Sequence, residues 1–126
     1  MHVTTILVED SVTIRNTLVP ALEELANARV VAVAATAADA KHALKEWEGH
    51  WQLIVVDLFL SAGSGLEVLQ AVRQRQPGQY ALVLSNYATA EMRRRCLELG
   101  ADAVFDKSTE LDTFFEYCGT FNSTDR

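Results

Sequence analysis

Short apolar runs rich in β-branched residues alternate along the chain with longer stretches whose apolar positions recur every three or four residues. The first kind reads as strands buried on both faces, the second as amphipathic helices. Strands are expected at Thr4 to Val8, Val30 to Ala35, Leu53 to Val56, Tyr80 to Leu84 and Ala101 to Phe105. A helix follows each. The first runs from about Val12 to Asn27, capped by Ser11 or Asp10, with Ile14, Leu18, Leu22 and Leu25 along one face. The others run from Thr36 or Asp39 to near Gly49, Gly65 to Gln76, Thr89 to Leu99 and Thr109 to Cys118; Pro77-Gly78 and Gly100 stop the third and fourth. Pro20 lies inside the first helix and should kink it or cost it a backbone bond. Trp47 and Trp51 are expected to pack across the loop after the second helix. Beyond Gly119 the sequence is polar, and a frayed tail is expected there. The alternation, with its short connections, implies parallel strands, right-handed crossovers and helices on both sheet faces, an α/β fold. No repeat, low-complexity segment or linker interrupts it, so one domain is expected over 1–126.

Polar residues at the strand ends add chemistry to this frame. Asp57 closes the run Leu53-Ile54-Val55-Val56 and precedes the turn Ser61-Ala62-Gly63-Ser64-Gly65. An ionisable group inside a doubly buried strand would be costly, which puts Asp57 at the carboxyl end, where parallel sheets bind ligands. Glu9-Asp10 closes the first strand in the same way, so three carboxylates meet at one edge, a donor set suited to a hard cation such as Mg²⁺. Ser85-Asn86 ends the fourth strand, and Phe105-Asp106-Lys107-Ser108 the fifth. A carboxylate nucleophile, a cation to offset charge, a lysine and a hydroxyl together suit phosphoryl transfer to an aspartate. Taken singly, each has a plainer use: Glu9-Asp10 as helix-dipole partners, Ser85 as a turn residue, Phe105 as core, Lys107 as a solvated charge.

Composition narrows the field only modestly. The net charge is −6, from 17 acidic and 11 basic residues, which argues against a nucleic-acid binder working through a basic face. Cys96 and Cys118 fall within apparent helices, and small buried hydrophobes in a reducing cytoplasm are expected, not a disulfide. No signal peptide or membrane-length apolar stretch is evident. Arg93-Arg94-Arg95 reads as a solvated helix face, and His2, His42 and His50 as surface residues.

In order and spacing the motifs Ile6-Leu7-Val8-Glu9-Asp10-Ser11, Val56-Asp57-Leu58-Phe59-Leu60 with Ser64-Gly65-Leu66-Glu67, Leu84-Ser85 and Phe105-Asp106-Lys107 resemble a response-regulator receiver domain of two-component signalling, from Thr4 to about Cys118. The resemblance implies a flavodoxin-like (βα)5 sandwich with strand order 2-1-3-4-5. It implies Asp57 as phosphoacceptor, receiving its phosphoryl group from a histidine kinase or histidine phosphotransfer protein. Mg²⁺ would be held by Asp10 and Asp57, by the Phe59 carbonyl, and by Glu9 directly or through water. Lys107 and the N–H groups of Leu58 and Asn86 would meet the phosphate. Ser85 would be the switch hydroxyl, and Phe105 the aromatic that swings inward after it. The output would be a changed surface on the fourth helix, fifth strand and fifth helix, read by a protein target or by phosphorylation-dependent homodimerisation, in the cytoplasm and without direct contact to nucleic acid or membrane. The chain would be a phosphoacceptor signalling protein, not a conventional enzyme. The opening methionine and a polar end without a linker favour a stand-alone receiver.

This sequence departs from the common family pattern at several positions. Ser61 and Ser108 stand where proline is frequent, and a cis bond before Ser108 would cost roughly 3 kcal/mol more than trans. Phe59 and Tyr87 place large rings beside the phosphorylation site, where they could restrict attacking water. Other readings fit less well. A haloacid-dehalogenase-type phosphatase needs an aspartate where Phe59 stands. An FMN carrier needs a hydroxyl-rich loop after the first strand, where Glu9-Asp10 would repel the phosphate. A pseudo-receiver acting as a phosphorylation-independent binding module usually lacks an acidic or lysine position, and all are present here.

Overall fold

The computed structural model describes residues 2–124, with side chains as far as Phe121. Five strands and five helices alternate: β1 (Val3–Val8), α1 (Val12–Leu25), β2 (Ala28–Ala34), α2 (Ala37–Glu46), β3 (Leu53–Val56), α3 (Gly65–Ala71), β4 (Tyr80–Ser85), α4 (Ala90–Glu98), β5 (Ala103–Asp106) and α5 (Leu111–Thr124). All pairings are parallel and the order is β2-β1-β3-β4-β5, the flavodoxin-like arrangement that the resemblance implies. β3 lies at the centre and all four of its residues are buried.

Strand alternation divides the core in two. Ile6, Val8, Ile54, Val56, Ala81, Val83 and Val104 face one layer, packing with Ala40, Val68, Leu69 and Cys96 of α2, α3 and α4. Leu7, Leu53, Val55, Leu82, Leu84 and Phe105 face the other, with Leu18, Leu22, Phe114 and Cys118 of α1 and α5. Both cysteines are buried and free. Trp51 is buried in the first cluster and Trp47 packs against it. Among the described residues no helix is long and apolar enough to cross a membrane.

The helices begin on the side-chain caps that their sequences offer. Ser11 accepts from the Ile14 N–H, Thr36 from Asp39, Ser64 from Leu66 and Thr89 from Met92. Ser11, not Asp10, caps α1. Pro20 sits on the exposed side of α1 and the helix continues through it. The helix stops at Leu25, and Asn27 takes the left-handed conformation, φ 51°, which an asparagine tolerates beyond a helix end.

Helix ends differ most from expectation. α3 stops at Ala71, short of Gln76, and the Arg75 guanidinium gathers the carbonyls of Val72, Gln79 and Gly100 together with Asp102. α5 does not stop at Cys118: the helix reaches Thr124 and Phe121 is buried. Phe114, Cys118 and Phe121 continue one helical face, and Phe121 stacks on Tyr80 with ring centroids 4.3 Å apart. That packing outweighs the roughly 1 kcal/mol a helical glycine costs at Gly119. Asp125 and Arg126 of the expected tail lie outside the described residues.

Candidate functional site at the carboxyl edge of the sheet

β1 and β3 are adjacent, and Val8 pairs with Val56 in the ladder. The residues that follow each strand therefore leave the sheet side by side. The Asp57 N–H donates to the Val8 carbonyl at 2.9 Å, which extends the ladder one residue and fixes Asp57 at its rim. Oxygens of Glu9, Asp10 and Asp57 lie within 4.8 Å of one another. Glu9 is 2% exposed and Asp57 9%, so the charges meet at the mouth of the core, not in open water.

Lys107 offsets that acidity. It follows β5, where its N–H donates to the Ser85 carbonyl at 3.1 Å. From there its ammonium reaches Asp57 Oδ2 at 3.0 Å and also donates to Glu9. Burial pulls the Lys107 pKa down, but the hydrogen bonds to Glu9 and Asp57 outweigh it and the net direction is up. Lys107 is therefore cationic at neutral pH. Burial pushes the Glu9 carboxyl above its usual range, against the hydrogen bonds from Lys107 and the Ser11 N–H. Each Glu9 oxygen thus has a partner in the protein, whereas Asp10, half-buried beside it, caps nothing. The three clustered carboxylates make a hard, oxygen-only donor set that a divalent cation fits, with Lys107 beside it.

Backbone geometry keeps the rim tight. A Cβ on Gly65 would stand 2.1 Å from the Asp57 carbonyl oxygen, so only glycine lets α3 begin this close to the acidic residue. The two serines at family proline positions use donors a proline lacks. Ser61 N–H and Oγ both reach the Ala35 carbonyl, at 3.3 and 3.1 Å. Ser108 N–H donates to Asp106 at 2.8 Å, and its hydroxyl donates to the same carboxylate. No peptide bond among the described residues is cis, that before Ser108 included.

Over residues 5–118 the sequence matches the response regulator receiver domain family. The chain belongs to that family. No curated protein matches it. Solved receivers superpose closely at low identity. The Francisella response regulator 1452 receiver domain matches with TM-score 0.80 and 18% identity, over 98% of each chain. The BeF3-activated receiver domain of DrrB matches with TM-score 0.78 and 20% identity, over 98% of this chain and 99% of that one. A Burkholderia pseudomallei response regulator with a phosphorylated aspartic acid and a calcium ion matches with TM-score 0.77 and 21% identity, over 97% of this chain and 72% of that one. These structural likenesses carry the fold; membership rests on the family match.

This receiver brings Glu9, Asp10, Asp57 and Lys107 into one cluster. Ser85 is fully buried at the end of β4, and its Oγ accepts the Tyr87 N–H at 3.1 Å. The Leu58 side chain is buried while Asn86 is exposed. Phe59 and Tyr87, each 55% exposed, touch each other with ring centroids 4.2 Å apart.

Phe105 lies on the opposite sheet face from Ser85. In the β4–β5 register Leu84 pairs with Phe105, Val83 with Val104 and Ser85 with Asp106. Phe105 therefore shares the face of Leu84, opposite the face of Ser85, and is already buried against Phe114 and Tyr117. The β5 residue on Ser85's side is Val104. Counting alternation inward from Lys107 would have found this. Sequence reasoning also missed Arg93, read with its neighbours as a solvated run. Arg94 is solvated and pairs loosely with Glu98 at 3.5 Å, but Arg93 turns inward to Glu110. Its position three residues before the buried Cys96 places it on the inner side of α4.

Proposed function

We propose that Asp57 is the phosphoacceptor of a two-component relay, taking a phosphoryl group from a histidine kinase or histidine phosphotransfer protein. One observation carries the reading: the Asp57 carboxylate at the rim of the central strand, bonded by Lys107 and within 4.8 Å of Glu9 and Asp10 oxygens. In the reaction an Asp57 oxygen attacks phosphorus, the P–N bond of the donor phosphohistidine breaks, and an acyl phosphate forms while the imidazole takes up a proton. Lys107 meets the phosphoryl oxygens as charge builds on them, and the N–H groups of Leu58 and Asn86 donate to the same oxygens. Asp10, Asp57 and the Phe59 carbonyl would hold Mg²⁺, with Glu9 assisting. When bound, the ion supplies the positive charge that lets a phosphoryl group approach three carboxylates.

Ser85, fully buried beside the site, turns its hydroxyl to the phosphoryl group and so reports its arrival. The α4–β5–α5 surface then meets a protein target in the cytoplasm or a second copy of the chain. The test is incubation with acetyl phosphate and Mg²⁺, followed by intact mass. Wild type should gain one phosphoryl group only with the metal present, and Asp57→Asn should gain none. A gain that persists in Asp57→Asn puts the acceptor elsewhere. No gain in wild type favours a pseudo-receiver module.

A further inference from the structure

A change at Asp57 must reach a surface to be read. Val104, on Ser85's side of β5, fills the seam against α4 but has neither a polar atom nor the length to travel with Ser85. Arg93 crosses that seam. Its Nε donates to the Ala88 carbonyl at 2.9 Å, one terminal nitrogen donates to the Val104 carbonyl at 3.0 Å, and the other pairs with the Glu110 carboxylate. Glu110 also accepts the Asp106 N–H at 3.0 Å. One guanidinium therefore joins the loop after β4, the strand β5 and the residue before α5. A planar fork of donors suits such a three-way contact, and an ammonium group does not reproduce it.

The anchor at Ala88 is the one the site can disturb. Ser85 Oγ holds the Tyr87 N–H, one residue before Ala88. Once Ser85 Oγ turns to a phosphoryl oxygen, that N–H loses its acceptor and the loop carrying the Ala88 carbonyl is free to shift. We propose that Arg93 is a latch that holds α4 against β5 and α5 while Asp57 is unphosphorylated, and that its release carries the change at Ser85 to the α4–β5–α5 face. This rests on the phosphoacceptor reading above. A latch favouring the unphosphorylated form opposes phosphoryl binding by the same free energy, because a ligand shifts an equilibrium only through its differential affinity. Removing the latch therefore tightens the site, which mere damage to the fold does not do.

The test is a titration of beryllofluoride at saturating Mg²⁺ into wild type, Arg93→Ala, Arg93→Lys and Glu110→Gln, followed by amide chemical shifts. Arg93→Ala and Arg93→Lys should bind about fivefold tighter or more, and Glu110→Gln should change in the same direction by less. Shifts over residues 89–98 and 111–118 that wild type shows only with beryllofluoride should already be partly present in free Arg93→Ala. Unchanged or weaker binding in Arg93→Ala overturns the latch and leaves Asp57 as phosphoacceptor. A wild type that takes up no beryllofluoride overturns the phosphoacceptor reading, and the latch with it.

Discussion

At the residue scale the site is defined by which groups are already engaged. Glu9 gives one oxygen to Lys107 and the other to the Ser11 N–H, so its geometry is set before any cation arrives. The rings of Phe59 and Tyr87 meet each other at the surface. Each is 55% exposed, and their rings meet at 4.2 Å and 52°. Hydrolysis of an Asp57 acyl phosphate needs a water in line with the scissile P–O bond, opposite the Asp57 oxygen. Phe59 stands two residues after Asp57 and Tyr87 two after Ser85, so on the phosphoacceptor reading the ring pair would flank that approach. An aromatic pair is worth about 0.5–1.5 kcal/mol, so breaking it should ease water's access by about two- to tenfold. Phe59→Asn and Tyr87→Glu are expected to lose phosphate faster than wild type by that factor. The measurement is the dephosphorylation rate at saturating Mg²⁺ without kinase or phosphatase. Equal rates in all three proteins would show that the rings do not govern the lifetime.

At the element scale, what the sequence reveals depends on whether local or distant contacts decide the matter. The central strand Leu53–Val56 is legible to the residue, because an unbroken β-branched run ending in Asp57 admits one reading. Helix starts at Thr36 and Thr89 are legible because the cap's donor and acceptor lie within three residues. Helix ends set from afar are not. α3 ends where Arg75, reaching across to Gly100 and Asp102, gathers carbonyls, and no local pattern announces that. The face of Phe105 depends on cross-strand register with β4, and a motif spaced one residue off inverts it. The last turn of α5 depends on Tyr80, about forty residues away in sequence. Phe121 thus supplies a direct test. Phe121→Ala is expected to destabilise the protein by about 3 kcal/mol in urea unfolding, with the m-value unchanged. A loss below about 0.5 kcal/mol, the usual range for surface substitutions, would mean that the final turn is not docked.

At the scale of the whole molecule, the sheet gathers its sharpest electrostatic conflict at one edge. The chain carries a net charge of −6, and three of its carboxylates sit within 4.8 Å of one another, with Lys107 bonded to two of them, Glu9 and Asp57. Like charges held that close oppose folding, so a cation that binds only the folded arrangement stabilises the entire chain by mass action. At a hundredfold excess over the dissociation constant the gain is about 2.7 kcal/mol. For a chain of 126 residues this corresponds to a rise in Tm of roughly 10 °C. Mg²⁺ is therefore expected to raise Tm saturably, by far more than NaCl at equal ionic strength, because screening relieves a partly buried cluster poorly. The residues should not contribute equally. Asp10 neither caps α1 nor is held by Lys107, which leaves its carboxylate available to a metal, whereas Glu9 is committed to two protein donors. Asp10→Ala should abolish most of the Mg²⁺-dependent rise in Tm, and Glu9→Ala should remove a smaller part; calorimetric titration gives the same ordering independently of unfolding. Equal losses would place both carboxylates in direct contact with the metal, and a rise that survives Asp10→Ala would move the cation away from the Asp57 cluster altogether.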